Sequence, residues 1–145
     1  QGIINLQVGK TPPNFTMSKW DGGTLDLMQT AKAHKYTLVM FWASWCHKCE
    51  QEIPVLIPVY AKYQNRGFEA IGVSLDQARS TWVGVIEQRG MQYPNVSQLQ
   101  GWDSPIVKDY KITSTPTYFL LDGEGKIVLK PKRIYEVDAF LAKNL

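Results

Sequence analysis

The sequence predicts an α/β fold with a mixed central sheet flanked by helices, and three observations carry that expectation. Tyr36 to Ala43 is an apolar-rich run without a charge, of strand length rather than helix length. A second mostly apolar run, Phe68 to Leu75, comes after a helical segment, so the two strands are expected to be parallel. Late in the chain, Asp122-Gly123-Glu124-Gly125 separates two short apolar stretches and reads as a hairpin turn, which adds an antiparallel edge.

With 145 residues, a single domain spanning 1–145 is the expectation, large enough to bury a proper core. The composition, 44% hydrophobic and 20% charged, is that of a globular chain and excludes disorder. A net charge of +3 is too mild to suggest nucleic-acid binding, and the one local basic cluster is Lys130, Lys132 and Arg133 around Pro131. That cluster reads first as a solvated loop and second as a dock for an acidic partner. No apolar run approaches the ~20 residues that span a bilayer. Because the chain opens on Gln1 without a leader, it reads as a mature form or an excised domain.

In order, the first 24 residues read as an irregular lead-in, with an edge strand within Asn14 to Lys19 and a turn at Asp21-Gly22-Gly23. Thr24 is expected to cap a helix over Leu25 to Lys35. From Cys46 a long helix is expected to reach Tyr63, with Cys49, Ile53, Leu56, Ile57, Tyr60 and Tyr63 on its core-facing stripe. Pro54 and Pro58 fall inside it and each removes one backbone bond, so bends are expected there. Ser80 to Arg89 reads as an amphipathic helix with Trp82, Val83 and Ile86 inward. Tyr93 to Leu99 reads as a short strand or loop and Pro105 to Tyr110 as a short helix. Thr117 to Leu121 and Lys126 to Leu129 are the hairpin strands, and Tyr135 to Lys143 is the last helix, with Val137, Phe140 and Leu141 inward.

The chemistry concentrates in Phe41-Trp42-Ala43-Ser44-Trp45-Cys46-His47-Lys48-Cys49, where a buried strand runs into a Cys-x-x-Cys at a helix start. The chain has only these two cysteines. A structural staple closing so short a loop constrains the unfolded chain very little, so the spacing points to reactivity. Cys46 would sit among unpaired N–H groups at the positive end of the helix dipole, which favours thiolate. His47, when protonated, and Lys48 add positive charge. Cys46 is therefore the expected exposed nucleophile and Cys49, one turn deeper on the apolar stripe, the buried resolving thiol. A zinc site would need four ligands, and only His34 and His47 remain as candidates, so no metal is expected. Glu52 lies one turn past Cys49 at the edge of the apolar stripe, placed to relay the Cys49 proton; a solvated helix glutamate is the plainer alternative.

These residues resemble the thioredoxin superfamily: Trp-Cys-x-x-Cys after a strand ending Phe-Trp-Ala, and Thr115-Pro116-Thr117 before a later strand. The continuation Cys49 to Leu56, with Phe68 to Ser74 and Phe119 to Lys126, is similar to the TlpA/ResA-like branch of extracytoplasmic bacterial thiol–disulfide oxidoreductases. The resemblance covers roughly residues 10–143. It implies a thioredoxin-like fold with an N-terminal extension and a helix–strand insertion before a cis-proline at Pro116. It also implies a substrate-facing surface of Trp45, Thr115 and Pro116. The glutamate matching Glu52 is associated with the active site in that branch. In thioredoxin itself a buried Asp stands six residues before the first cysteine; here that position is Met40.

The resemblance further implies an enzyme that exchanges disulfides with cysteine-containing proteins and an upstream thiol donor. It would need no metal or organic cofactor, and would act as a monomer in the periplasm or on an outward-facing anchor. The chain would be either the whole catalytic unit or the C-terminal domain of a longer envelope protein. His47-Lys48 between the cysteines favours a more oxidising couple, whereas Glu52 and the resemblance favour a reductant. Two other functions compete with this one. A peroxidase of the peroxiredoxin class needs Pro-x-x-x-Thr-x-x-Cys, and Val39 and Ala43 occupy those Pro and Thr positions. A redox-inactive binding module would use the Trp45/Pro116 surface alone.

Overall fold

The computed structural model describes residues 4–145. Five strands form one mixed sheet. At its centre β3 (Tyr36–Trp42) pairs parallel with β4 (Phe68–Ser74) on one side and antiparallel with β6 (Thr117–Asp122) on the other. The sheet is completed by β5 (Asn95–Ser97), parallel to β4, and β7 (Ile127–Leu129), antiparallel to β6. The mixed sheet of the sequence reading is therefore present, with its hairpin turned by Asp122. The carboxylate of that residue accepts from the N–H groups of Glu124 and Lys126.

Side-chain alternation along the three inner strands sends each face to its own core. Leu38, Met40, Trp42, Ala70, Tyr118 and Leu120 pack with the apolar faces of α2 (His47–Tyr63), α3 (Arg79–Arg89) and α5 (Ile134–Asn144). Val39, Phe41, Ile71, Val73, Phe119 and Leu121 pack on the other face against α1 (Leu27–Lys32) and α4 (Pro105–Asp109). The result is a three-layer arrangement in which the apolar runs read from the sequence are buried on both sides.

Three local expectations are corrected. Thr24 does not cap a helix: it lies in β2 (Thr24–Asp26), which pairs antiparallel with β1 (Thr16–Ser18) across the Gly22-Gly23 turn. The cap is Asp26, which accepts the Gln29 N–H at 3.0 Å. That bond, joined by those from Asn14 and Thr16, holds its carboxyl below the usual range. Helix α1 also stops at Lys32 and not Lys35, because the N–H groups of Lys35 and Tyr36 turn to the Gly67 carbonyl and start β3. On α2, Ile57 and Tyr60 are only half-buried, whereas Val59 and Glu52 are buried. Helix α2 runs through Pro54 and Pro58, both on its exposed side, where each removes one backbone bond of the helix.

Candidate active site

Strand β3 ends at Trp42, pinned where the Leu75 N–H donates to its carbonyl at 2.8 Å. The chain then turns through Ala43 to Trp45 into α2, with Cys46 as the N-cap. Its Sγ accepts the Cys49 N–H at 3.2 Å, so one of the orphan donors of a 17-residue helix points at the sulfur. The two cysteines are joined as a disulfide across a Cα–Cα distance of 5.2 Å. Cys49 is fully buried, as expected, but Cys46 is buried as well, at 6% exposure, and not the exposed residue the sequence suggests, because its sulfur is bonded inward to Cys49. His47 and Lys48 open the helix with exposed side chains.

Glu52 is buried more deeply than its helical position suggested, at 6% exposure. Its Oε1 accepts from the Ile134 N–H at 2.7 Å and from the Tyr118 hydroxyl at 3.3 Å, and its Oε2 lies 3.6 Å from Arg133 Nε. The carboxylate thus caps the start of α5, its remaining partner a solvent-exposed guanidinium. Burial, reinforced by the Glu52 carboxylate, pushes the Tyr118 hydroxyl well above its ordinary pKa, so this phenol remains a proton donor through the neutral range.

The Thr115-Pro116 peptide bond is cis, as the resemblance implied. Lys48, Glu52, Thr115 and Pro116 come together around one groove of about 670 Å³, whose far wall is the β7–α5 connection. Trp45 does not join them. At 55% exposure it lines a separate depression of about 480 Å³ beside Trp102, with ring centroids 6.1 Å apart. The surface expected to combine Trp45 with Pro116 is therefore divided into two depressions, while His47 lines neither.

Two features escaped the sequence reading. Asp76, 1% exposed, lies just past the end of β4. Its carboxylate accepts from the Ser44 N–H at 3.2 Å, the Ser44 hydroxyl at 2.5 Å and the Ser74 hydroxyl at 2.6 Å. It thereby ties the residue two before Cys46 to the neighbouring strand, and no cation bridges it among the described residues. Its signal was positional: a polar residue just beyond the carboxyl end of a central parallel strand, the edge where α/β sites form. Trp102, in the 3-10 turn Gly101–Asp103 of the insertion, had no signal beyond its residue type. Among the described residues no group of His, Cys, Asp and Glu could hold a metal ion, and no helix is long and apolar enough to cross a membrane.

Comparison with known proteins agrees with this geometry. The AhpC/TSA family matches residues 8–130. The thiol–disulfide oxidoreductase ResA of Bacillus cereus is 31% identical over 125 residues, covering 86% of this chain and 69% of that protein. ResA of Bacillus anthracis is 32% identical over 123 residues, covering 85% and 68%. Among solved structures, the thioredoxin domain of a Bacteroides vulgatus thiol–disulfide oxidoreductase superposes with a TM-score of 0.86 at 30% identity, covering 96% of this chain and 98% of that one. A Bacteroides fragilis thiol–disulfide oxidoreductase gives 0.85 at 28%, covering 94% and 100%. With a Cys46–Cys49 disulfide capping the helix after the central strand, the chain belongs to the AhpC/TSA family and, within its thioredoxin-like members, to the ResA-like thiol–disulfide oxidoreductases.

Proposed function

We propose that the protein reduces disulfides of cysteine-containing proteins outside the cytoplasm, with Cys46 as nucleophile, Cys49 as resolving thiol and Glu52 as the proton acceptor for Cys49. The observation that carries this reading is the Cys49 N–H aimed at Cys46 Sγ at the N-terminus of α2, an arrangement that stabilises negative charge on that sulfur. Lys48 and protonated His47 add to it. In the reduced protein the Cys46 thiolate attacks one sulfur of a substrate disulfide and expels the other as a thiolate, leaving a mixed disulfide. Cys49 gives its proton to Glu52 and attacks Cys46 Sγ. The second substrate thiolate leaves, and the Cys46–Cys49 disulfide remains. An upstream thiol donor returns two electrons to restart the cycle. Thr115 and Pro116 line the groove that Lys48 enters from the first turn of α2, and in this reading they supply a backbone edge for the substrate segment, with Trp45 in the neighbouring depression as a second contact. The extracytoplasmic setting rests on the resemblance to the TlpA/ResA-like branch.

The test is the reduction potential of the Cys46/Cys49 couple in defined thiol buffers, read by tryptophan fluorescence. A potential near or below about −250 mV marks a reductant. A value of roughly −120 to −180 mV would make the protein an oxidant or isomerase, with His47 and Lys48 as the cause. Failure to form a reversible disulfide would leave only the binding-module reading.

A further inference from the structure

The groove that Lys48 and Glu52 line from α2, the helix capped by Cys46, carries four cations, Lys48, Lys130, Lys132 and Arg133, against one carboxylate, Glu52. This excess of three positive charges equals the formal net charge of the entire chain, so the rest of the protein is balanced. Folding creates the concentration: Lys48 comes from the first turn of α2, and the other three from the β7–α5 connection. The nearby acids are engaged elsewhere. Glu52 is held by Ile134, Tyr118 and Arg133. Oε2 of Glu136 accepts the backbone N–H groups of Lys132 and Arg133 at 2.9 Å each. Among the described residues, Lys48, Lys130 and Lys132 have no carboxylate within 4.0 Å.

We infer that the protein selects substrates whose disulfide cysteine is flanked by acidic residues, the flanking carboxylates lying in this groove while the cysteine is presented to Cys46. The inference rests on the oxidoreductase reading above. Because Lys48 lines this groove from the helical turn that Cys46 caps, a polypeptide segment that lies in the groove and reaches Cys46 runs over these cations. That continuity favours a peptide over a lipid headgroup as the occupant. Exposed ion pairs are individually weak, but several acting in one concave site are expected to change kcat/KM by about tenfold at low salt. The Debye length falls from about 10 Å at 0.1 M to about 3 Å at 1 M salt, so the preference should disappear in concentrated salt.

The experiment compares disulfide peptides that are identical around the cysteines and carry Glu or Gln flanks, with dithiothreitol as electron source. Expected is a Glu-to-Gln ratio of kcat/KM of about ten at low ionic strength, falling toward one in 1 M NaCl and in the Lys130→Gln, Lys132→Gln double variant. The ratio cancels any general loss of activity in the variant. A ratio within twofold of one at low salt would overturn the inference and leave the oxidoreductase reading intact, as would a preference that survives in the double variant. Failure to reduce either peptide would instead sink the oxidoreductase reading itself. Tighter binding of the protein to phosphatidylglycerol vesicles than to the Glu peptide, lost in the double variant, would assign the patch to a membrane surface and overturn the peptide assignment.

Discussion

Two buried carboxylates flank the redox pair, and they are held in opposite ways. On the Cys46 side, Asp76 takes every bond from neutral donors of Ser44 and Ser74, within a locked turn. On the Cys49 side, Glu52 accepts from Ile134 and Tyr118 at one oxygen, while its other oxygen faces an exposed arginine and the open groove. A carboxylate saturated by fixed donors is suited to holding a loop in place. One with an oxygen toward a solvent-connected groove is suited to exchanging a proton. Burial alone therefore does not mark a reactive acid; the partners do.

Removing each sulfur in turn probes this contrast hardest. Cys46→Ser and Cys49→Ser should both lower turnover by at least about 10³-fold. Only Cys49→Ser should accumulate a mixed disulfide, visible by mass spectrometry after non-reducing quench. Next in size, Asp76→Ala takes the acceptor from the part-buried Ser44 N–H and hydroxyl and from the buried Ser74 hydroxyl, and should cost about 3 kcal/mol in urea unfolding. Asp76→Asn should cost less. If Asp76→Ala leaves stability unchanged, the locked side of the contrast collapses.

Tyr118→Phe removes one long bond to Glu52 and should cost about 1 kcal/mol near neutral pH. It also has a pH signature. Burial raises the Tyr118 pKa above its ordinary value of 10.0, so the folded protein keeps a proton that the unfolded chain releases. Stability from this residue is therefore full below about pH 10 and lost as pH rises beyond it, by up to about 1.4 kcal/mol per pH unit. Tyr60, Tyr93 and Tyr110 shift the same way, so the Phe variant should show a shallower alkaline slope than the wild type, not a flat one. Smallest of all, Trp102→Ala should raise KM for a protein substrate by about three- to tenfold with kcat little changed, if the Trp45–Trp102 depression contributes binding.

How much of this was legible in the sequence depends on the range of each interaction. The two central strands, the helix after Cys46 and the Asp122 turn were readable because periodicity and turn chemistry are local. Thr24 misled because a local cap signal competed with the β1–β2 pairing, and that pairing depends on Thr16–Ser18 lying opposite. Cys46, Cys49 and Pro116 were readable from spacing and resemblance. Glu52 was singled out from helical phase, but its bond to Ile134 spans 82 residues and had no sequence signal. The same is true of Asp76, joined to Ser44 across 32 residues. The basic cluster at Lys130, Lys132 and Arg133 was visible, yet only the fold brings it beside Lys48.

Proton transfer from Cys49 to Glu52 is decided by a rapid-quench measurement on the Glu52→Gln variant that resolves formation of the mixed disulfide at Cys46 from its attack by Cys49. If Glu52 takes that proton, formation proceeds at close to the wild-type rate and resolution slows by about 10²-fold, with the pH dependence of the second step flattened. Slowed formation with unaffected resolution would contradict the assignment, and would place Glu52 among the residues that only hold the fold.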